Sequence, residues 1–346
     1  MEIHAKEWLH HPSEPKGLIL RCCVCSASRR IFDPVSFTFE PGRTRVVFGR
    51  GTASSVRAEV ERLGAHRVLL IARHGGDEVA AALGPLLAAR FTGAAMHTPV
   101  EVTERALTSL REHGADCVVS VGGGSSTGLS KALSVRAGVP QVVLPTTYAG
   151  SEVTPVLGET AEGLKKTRRD ATIQPDTVIY DVDLTLDLPL GVTVTSAFNA
   201  LAHAIAARGN ENPLVDAIAT KAIEGVLHAL SGDPVSVEAR TELLSSAWLA
   251  GTCLASVPMG LHHKLAHVLG GSFGMPHAAT HTALLSYTAP ADLAKLIHDT
   301  ATRFGSATSL RALGMAESDL SRAAEIAEHP DALRVLTNAW RDASSG

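Results

Sequence analysis

Between about residue 45 and about residue 190, short β-branched runs alternate with longer segments that have helical spacing. The strand-like runs are RVVFG (45–49), RVLLIA (67–72), CVVSVGGG (117–124) and QVVLP (141–145). The segments between them, among them TASSVRAEVERLG, GDEVAAALGPLLAARF and LTSLREHG, are predicted to be helical. This alternation is typical of a parallel sheet wrapped by crossover helices. The pattern therefore predicts a doubly wound α/β fold for the first half of the chain.

The second half of the chain has helical spacing and no strand-like runs. The change follows DLTLDLPLG (183–191), where Pro189 and Gly191 interrupt the pattern. Alanine-, leucine- and histidine-bearing segments then continue to the end of the chain. We therefore predict three regions: an extension of unknown order over 1–34, an α/β domain over 35–190 and an all-helical domain over 191–346.

Composition and charge narrow the class of partner. The chain has 346 residues, of which 45% are apolar, and a net charge of −4, so it can bury a large core. The longest basic run is LKKTRR (164–169), which is too short to favour a nucleic acid. No segment has the appearance of a membrane span of roughly 18 apolar residues, so no membrane partner is expected. A small-molecule substrate is the partner that these features favour.

The cysteines and the N-terminus predict a compartment. Five cysteines, three of them in CCVC (22–25), form an odd number without a repeating framework, which favours a reducing environment. The N-terminal segment MEIHAKEWLHHPSEPK has no signal-peptide pattern. We expect a cytoplasmic protein.

A glycine-rich turn follows the third strand-like run, in CVVSVGGGSSTGLSKAL. Such a turn between a strand and a helix lets backbone N–H groups and the positive end of the helix approach a phosphate. Side chains at these positions would block that approach. The alternative is a tight turn that binds no ligand. The residues predicted to contact the phosphates are Gly122, Gly123, Gly124 and Ser125.

A second polar turn strengthens the prediction of a nucleotide site. VVLPTTYAGSE (142–152) is a buried-type strand that ends in Thr146, Thr147 and Tyr148. Ligands of doubly wound folds bind at the carboxyl edge of the sheet, where both turns are expected. Together the two turns favour a bound nucleotide.

The residue that closes the second strand usually determines whether NAD(H) or NADP(H) binds. An acid at this position favours NAD(H), because it accepts a hydrogen bond from the free 2′-hydroxyl of the adenosine ribose. In RVLLIARHGGD the strand closes with Ala72 and Arg73, and no acid is present. Arg73 could face a 2′-phosphate, so we expect NADPH to be accepted as well as NADH, with NADPH as a candidate for the preferred form. The alternative is that Arg73 is an exposed loop charge.

Histidines cluster in GLHHKLAHVLGGSFGMPH (260–277). On a helix, His263 and His267 lie one turn apart on the same face, and His277 follows GMP and is expected to open a new element. Asn199 and His203, in TSAFNALAHAI, are again four residues apart. We expect these side chains to converge on a cleft, where they bind a metal ion or handle protons without one. The alternative is a set of ordinary hydrogen-bonded histidines.

Several long motifs resemble one family. SVGGGSSTGLSKA, PTTYAGSEVTPVLGET, KKTRRDATIQPDTVIYDVDLTLDLP and LHHKLAHVLGGSFGMPHAATH are similar to the maleylacetate reductase branch of the iron-containing alcohol dehydrogenases. The resemblance covers roughly residues 36 to 290. It implies a Rossmann-like N-terminal domain and an all-α C-terminal domain, the architecture that this family shares with dehydroquinate synthase. It also implies an active site between the two domains and, by analogy with relatives, a homodimer.

The resemblance bears on the question of the metal. In the metal-dependent relatives an aspartate and three histidines hold the ion, at positions that match Asn199, His203, His263 and His277. An amide is a weaker ligand than a carboxylate for iron or zinc, because it lacks the charge. Three neutral imidazoles can still hold zinc. The expectation is a vestigial site without metal.

The resemblance also implies a reaction. Family members reduce the carbon–carbon double bond of 2-maleylacetate with NADH or NADPH, giving 3-oxoadipate at the end of hydroxyquinol and chlorocatechol breakdown. The sequence HHK, which is typical of this branch, is present here as His262, His263 and Lys264. We expect Lys264 to anchor a carboxylate and His263 to protonate the enolate, with His203, His267 and His277 as other possible donors.

The sequence departs from the family in ways that leave other functions open. The N-terminal extension is unusual, and the helical domain is shorter than expected after LLSYTAPADLAKLIHDTATRFG. A trimmed helical domain would admit a larger or different substrate, including a biosynthetic intermediate. The alternatives are a metal-dependent alcohol dehydrogenase or carbonyl reductase, and a repurposed homologue without net redox chemistry.

Overall fold

The α/β half of the protein, residues 42–189, is built on a six-stranded parallel sheet with helices on both faces. The computed structural model describes residue 39 and residues 42–161 and 164–342; the predicted extension, with its CCVC, lies outside them. The strands are β1 (Arg45–Gly49), β2 (Val68–Ala72), β3 (Leu87–Phe91), β4 (Cys117–Gly122), β5 (Gln141–Pro145), β6 (Val156–Ala161), β7 (Leu164–Arg169) and β8 (Thr177–Asp181). The helices are α1 (Val56–Arg62), α2 (Asp77–Leu83), α3 (Val100–Glu112) and α4 (Gly124–Ala137).

The order of strands in the sheet, β1-β8-β5-β4-β2-β3, creates a switch point. From β2 the chain proceeds to one side, to β3, and then crosses to β4 on the other side of β2 and continues to β5 and β8. In open parallel sheets the crevice at such a point, beyond the carboxyl ends of the strands, is where ligands bind. The glycine-rich turn after β4 lies at this crevice.

Alternating strand residues pack against helices on opposite faces of the sheet. In β2, Leu69 and Ile71 join a core with α3 and α4, whereas Val68 and Leu70 join a core with α1 and α2. β2 therefore has two buried faces, which explains its continuous apolar sequence. The predicted α/β fold is confirmed.

The segment GDEVAAALGPLLAARF was predicted to be helical throughout, and for its second part that prediction is wrong. Helix α2 ends at Leu83, and Gly84 and Pro85 are followed by the strand β3. β3 pairs with β2, so tertiary pairing decides the conformation of a short apolar run that suits either structure. A further antiparallel hairpin, β6–β7, stands outside the main sheet.

The helical half, residues 190–342, contains the remaining helices. They are α5 (Leu190–Ala207), α6 (Pro213–Ser231), α7 (Val237–Ser256), α8 (Leu261–Phe273), α9 (His277–Thr288), α10 (Ala291–Arg303), α11 (Leu320–Ala327) and α12 (Ala332–Arg341). α5 packs against α6 and α7 in a core that also includes Val178 and Tyr180 of β8. The described residues belong to one compact unit, and the proposed domain boundary near residue 190 stays a prediction.

Helix α5 is long and apolar enough to cross a membrane, with 18 residues and a mean hydropathy of 1.4, contrary to the expectation that no segment is. Of this helix, 67% is buried inside the protein. The bent pair of α7 and α8, which meet at 97°, passes the same test together. Burial of α5 among its neighbours is the arrangement of a core helix, and its hydropathy follows from that position.

Candidate active site

A cavity of about 470 Å³ lies between the carboxyl edge of the sheet and the helical half. The α/β half contributes the start of α4, the turn after β5, the β3–α3 turn and part of the β6–β7 hairpin. The helical half contributes α5, α8 and α9. The predicted site residues that line the cavity are Gly124, Ser125, Thr147, Asn199, His203, His263, His267 and His277.

The glycine-rich turn leads from β4 directly into α4, which begins at Gly124. Gly122 has a φ of 144°, which favours glycine, and a β-carbon on Gly123 would come 2.9 Å from Cγ2 of Thr147. A β-carbon on Gly124 would meet nothing within 4 Å. The first two glycines are thus required by the turn itself, whereas Gly124 leaves open space at the N-terminus of α4 that an anion could occupy.

Of the three residues predicted at the second turn, Thr147 is the one that lines the cavity. Thr146 donates its backbone N–H to the carbonyl of Gly122 at 3.1 Å and does not line the cavity. Tyr148 is fully buried in the core of the helical half, and its hydroxyl accepts a hydrogen bond from the buried guanidinium of Arg240 at 3.4 Å. The structure therefore places Tyr148 as a core residue and not beside the predicted nucleotide.

Arg73 follows β2 on the far side of the switch point from β5. It is exposed and does not line the cavity. A dinucleotide with its phosphates at Gly124 would direct its adenosine toward the end of β2 in a doubly wound fold. Arg73 therefore lies at the end of the sheet where the adenosine would bind.

The predicted pairs on two helices do converge. Asn199 and His203 project from α5, His263 and His267 project from α8, and α9 begins at His277, as the GMP turn indicated. The rings of His203 and His263 lie face to face with centroids 4.9 Å apart, and those of His267 and His277 are 6.1 Å apart. The i, i+4 spacing places each pair on the cavity side of its helix.

Four of the histidines are buried, and burial lowers their pKa values. Burial lowers the pKa of His263 to about 4. Burial, reinforced by neighbouring imidazoles, lowers the pKa of His203, His262 and His281 well below the usual range. These four rings are therefore neutral near neutral pH, which opposes the expected role of His263 as an imidazolium donor.

Some buried polar atoms at the site have no hydrogen-bond partner in the described protein: Oδ1 of Asn199, Nδ1 of His203, both ring nitrogens of His263 and Nε2 of His281. Buried polar atoms are rarely left unpaired, so a ligand or water is expected to satisfy them. His262 differs, because its Nδ1 lies 2.7 Å from Oγ1 of Thr288 and its Nε2 lies 2.8 Å from Nδ1 of His281.

The described residues do not fit a metal ion as they are arranged. Within the described part of the chain no three His, Cys, Asp or Glu side chains are placed to hold one. The amide at Asn199 adds a neutral ligand where a carboxylate would bind better.

Lys264 is exposed and does not line the cavity. Successive residues on a helix point about 100° apart, and α8 turns His263 toward the cavity while Leu265 packs into the core. Lys264 is left on the solvent side. The structure thus gives it no contact with a ligand in this cavity.

Lys131 of α4 lines the cavity and is 2% exposed. Its ammonium donates hydrogen bonds to the carbonyls of Ser151 and Thr154, both at 2.7 Å, and to that of Val156 at 3.1 Å. Burial lowers its pKa to about 7. These hydrogen bonds connect α4 to the segment after β5. Because they already use the three N–H donors of the ammonium, we do not expect Lys131 to bind the substrate.

Among the lining residues that the sequence reasoning missed are His97, Thr98 and His281. His281 is four residues after His277 on α9, and the two rings are 4.5 Å apart. That i, i+4 spacing was a usable signal. His97 and Thr98 lie in the turn before α3, and no periodic pattern connects them with the histidine helices.

Two family models match this chain. Iron-containing alcohol dehydrogenase matches residues 43–182, and the C-terminal model of the Fe-containing alcohol dehydrogenase family matches residues 193–291. The chain therefore belongs to the iron-containing alcohol dehydrogenase family.

Within this family the chain is similar to maleylacetate reductases. It is 50% identical to maleylacetate reductase 1 of Rhodococcus opacus over 323 residues, covering 84% of this chain and 89% of that protein. It is 46% identical to the maleylacetate reductase of Rhizobium sp. (strain MTP-10005), covering 84% and 91%. The crystal structure of maleylacetate reductase from Agrobacterium tumefaciens superposes with a TM-score of 0.82 at 41% identity, covering 90% and 100%. The resemblance read from the motifs is confirmed.

Proposed function

We propose that this protein reduces the carbon–carbon double bond of maleylacetate with NADH or NADPH, without a metal ion. Its relatives at up to 50% identity over most of the chain are maleylacetate reductases. The observation in the structure that supports this best is the charge of the cavity. Of the described residues that line it, six are histidines, one is a lysine and none is Asp or Glu. A cavity of this kind suits an oxo-dicarboxylate, because no acid repels either carboxylate.

The dinucleotide is proposed to bind at the switch point of the sheet. Its diphosphate lies at the N-terminus of α4, where Gly124 and Ser125 expose backbone N–H groups, and Thr147 faces it from the turn after β5. When bound, the reduced nicotinamide supplies a hydride to the alkene carbon β to the ketone. Arg73 is proposed to lie at the adenosine end, so both NADH and NADPH are accepted.

The protein's own residues handle the enolate that remains. Buried neutral imidazoles, among them His203 and His263, stabilise the developing oxyanion by hydrogen bonding, and Asn199 contributes its amide N–H. His267 and His277 are half-buried and line the cavity, so they retain access to water. We assign the proton donor to this pair and not to His263, since burial keeps His263 neutral at neutral pH.

The remaining features of the assignment are secondary. We propose a reducing, cytoplasmic location, with which the free, buried Cys117 and Cys253 agree. We also propose a homodimer, by analogy with the relatives. The substrate in this proposal follows that of the relatives.

The test is the absorbance of reduced nicotinamide during turnover of freshly generated maleylacetate, with NADH and with NADPH, in the presence and absence of EDTA. We expect oxidation with both nucleotides and no effect of EDTA. Loss of activity with EDTA would favour a metal-dependent alcohol dehydrogenase. No oxidation, with nucleotide binding still detectable by fluorescence, would mean that the substrate is different.

Asn199→Asp is expected to impair this reaction strongly. It would place a carboxylate in a cavity whose described lining has none, and Asn199 is only 8% exposed. At roughly 8 Å and an effective dielectric constant of about 20, its repulsion of one substrate carboxylate is about 2 kcal/mol, or roughly 30-fold in KM. Steady-state kinetics with EDTA present measures this, because EDTA separates repulsion from metal capture.

Asn199→Ala is the control for that substitution. It removes the amide but adds no charge, so its KM should rise much less than that of Asn199→Asp. Equal KM values for the aspartate variant and the unmodified protein would contradict the proposed dicarboxylate.

A further inference from the structure

The turn between β3 and α3 has an unusual backbone. His97 and Thr98 have φ angles of 63° and 48°, in the left-handed region that favours glycine. In the described part of the chain the other non-glycine residues with positive φ are Glu328 and Asp342, which end α11 and α12. Helix ends commonly adopt this conformation, but a β-branched residue in the middle of a turn rarely does. Conformations of this kind persist where the surrounding structure enforces them, and they cluster at functional sites.

The hairpin β6–β7 enforces this conformation. Thr160 of β6 donates its hydroxyl to the carbonyl of His97 and its backbone N–H to the carbonyl of Thr98, both at 3.2 Å. The backbone N–H of Thr98 in turn donates to the carbonyl of Ala95 at 3.3 Å. Pro99 follows at once and begins the approach to α3. The strained pair is therefore held from both sides.

Both side chains of this turn face the cavity. His97 and Thr98 line it, and Thr98 is 4% exposed. The ring of His97 lies edge-on to that of His277, with centroids 6.3 Å apart, so the turn reaches the histidines of the helical half. The Thr98 hydroxyl lies over Gly128 of α4, where a β-carbon would come within 2.4 Å of it. Gly128 leaves the space that this hydroxyl needs.

We propose that His97 and Thr98 bind one terminal carboxylate of the substrate, and that this turn, not Lys264, makes the site specific for a dicarboxylate. A carboxylate is an acceptor only, and a hydroxyl and an imidazole N–H on adjacent residues can both donate to it. The pair lies on the α/β side of the cavity, across from His203 and His263. The other end of the substrate, with its ketone, can then face the imidazoles. The proposal rests on the proposed function in taking an oxo-dicarboxylate as the substrate.

Two variants at position 98 test this. Thr98→Val keeps the shape and the strain but removes the hydroxyl. It should raise KM for maleylacetate about 10-fold, leave kcat within about twofold and leave NADH affinity unchanged. Thr98→Gly also removes the hydroxyl but relieves the backbone strain, so it should raise the melting temperature while raising KM by a similar factor. A purely structural residue would not combine higher stability with weaker substrate binding.

Thr103→Val is the matched control. Thr103 is a buried threonine of α3 whose hydroxyl donates to the carbonyl of Pro99, so it supports the same turn without lining the cavity. Its KM should stay near that of the unmodified protein. An equal rise in KM for Thr103→Val, or an unchanged KM for both Thr98 variants, would overturn the proposal.

A failure of the proposed function would be recognised separately. If the unmodified protein does not oxidise NADH with maleylacetate, calorimetric titration of adipate into the NADH-loaded protein replaces the kinetic assay. Binding by the unmodified protein that is lost in Thr98→Gly supports the carboxylate site. Equal binding by both, or no binding by the unmodified protein, overturns it.

Discussion

Gly124→Val is expected to weaken dinucleotide binding by more than about 100-fold and to leave the fold intact. A β-carbon at Gly124 meets nothing within 4 Å, and the φ angle of this residue is not positive, so valine is sterically tolerated by the protein itself. The new side chain would instead fill the space at the N-terminus of α4, where the diphosphate is proposed to lie. Backbone N–H groups can hold a phosphate only if nothing separates them from it.

The measurement is NADH fluorescence on titration with protein, beside a thermal melt. Gly270→Ala is the control, because Gly270 lies within α8 and its added β-carbon would meet only the Met275 carbonyl at 3.7 Å. That variant should bind NADH normally. Normal NADH affinity in Gly124→Val would mean that the phosphates bind elsewhere, and loss of the melting transition would mean that the turn does not tolerate a side chain.

Acidification is expected to destabilise the protein steeply between pH 6.5 and pH 4. His203, His262, His263 and His281 are buried, and burial lowers the pKa of each below its unfolded value of 6.5. The contribution of these four histidines to stability is therefore fully present above pH 6.5. Below that pH the unfolded state binds protons that the folded state does not, so the free energy of unfolding falls with pH. For His263, whose pKa is about 4, the loss reaches about 3 kcal/mol at pH 4.

One buried group acts in the opposite direction. Burial raises the pKa of Glu152 to about 7 from 4.5, so the folded state binds a proton over part of the same range. In the unfolded state the four histidines bind up to four protons that the folded state does not, whereas Glu152 gives the folded state one extra proton. The unfolded state therefore still binds up to three more protons, and acidification still destabilises the protein.

Urea unfolding at a series of pH values measures this slope. His281→Gln removes one of the buried titrating groups and keeps a polar side chain, so its slope should be shallower by about one proton. His66→Gln is the control, because His66 is exposed in the folded protein. Equal free energies of unfolding at pH 7 and pH 5 in the unmodified protein would show that the histidine cluster accommodates protons.

Much of the fold could be predicted from the sequence because its signals are local. The β-branched runs, the glycine turn after β4 and the helical spacing beyond residue 190 each specify their element. The run LAARF could not be assigned in this way, since its conformation depends on pairing with β2. The position of Tyr148 could not be predicted either. The sequence places it in a polar turn, but in the structure it is a core residue whose hydroxyl accepts a hydrogen bond from Arg240 of α7.

The candidate site divides in a similar way. The i, i+4 spacing of Asn199 with His203 and of His263 with His267 sufficed to place both pairs on one face of a helix. It did not determine that His263 would be buried with a pKa near 4, because that depends on what packs around α8. Nor did adjacency to His263 bring Lys264 into the cavity, because the helix turns it to solvent.

By itself the sequence determined most of the alternation of strands and helices, though not β3 or the β6–β7 hairpin, and it determined the family and four of the six imidazoles that line the cavity. These features depend on residue type and spacing along the chain. The tertiary structure decided which of those side chains meet. It stacked His203 on His263, and it brought His97 and Thr98 from a strained turn in the other half to within reach of His277. The physical reason is that burial, ring orientation and backbone strain arise from contacts between distant segments, and no local pattern encodes them.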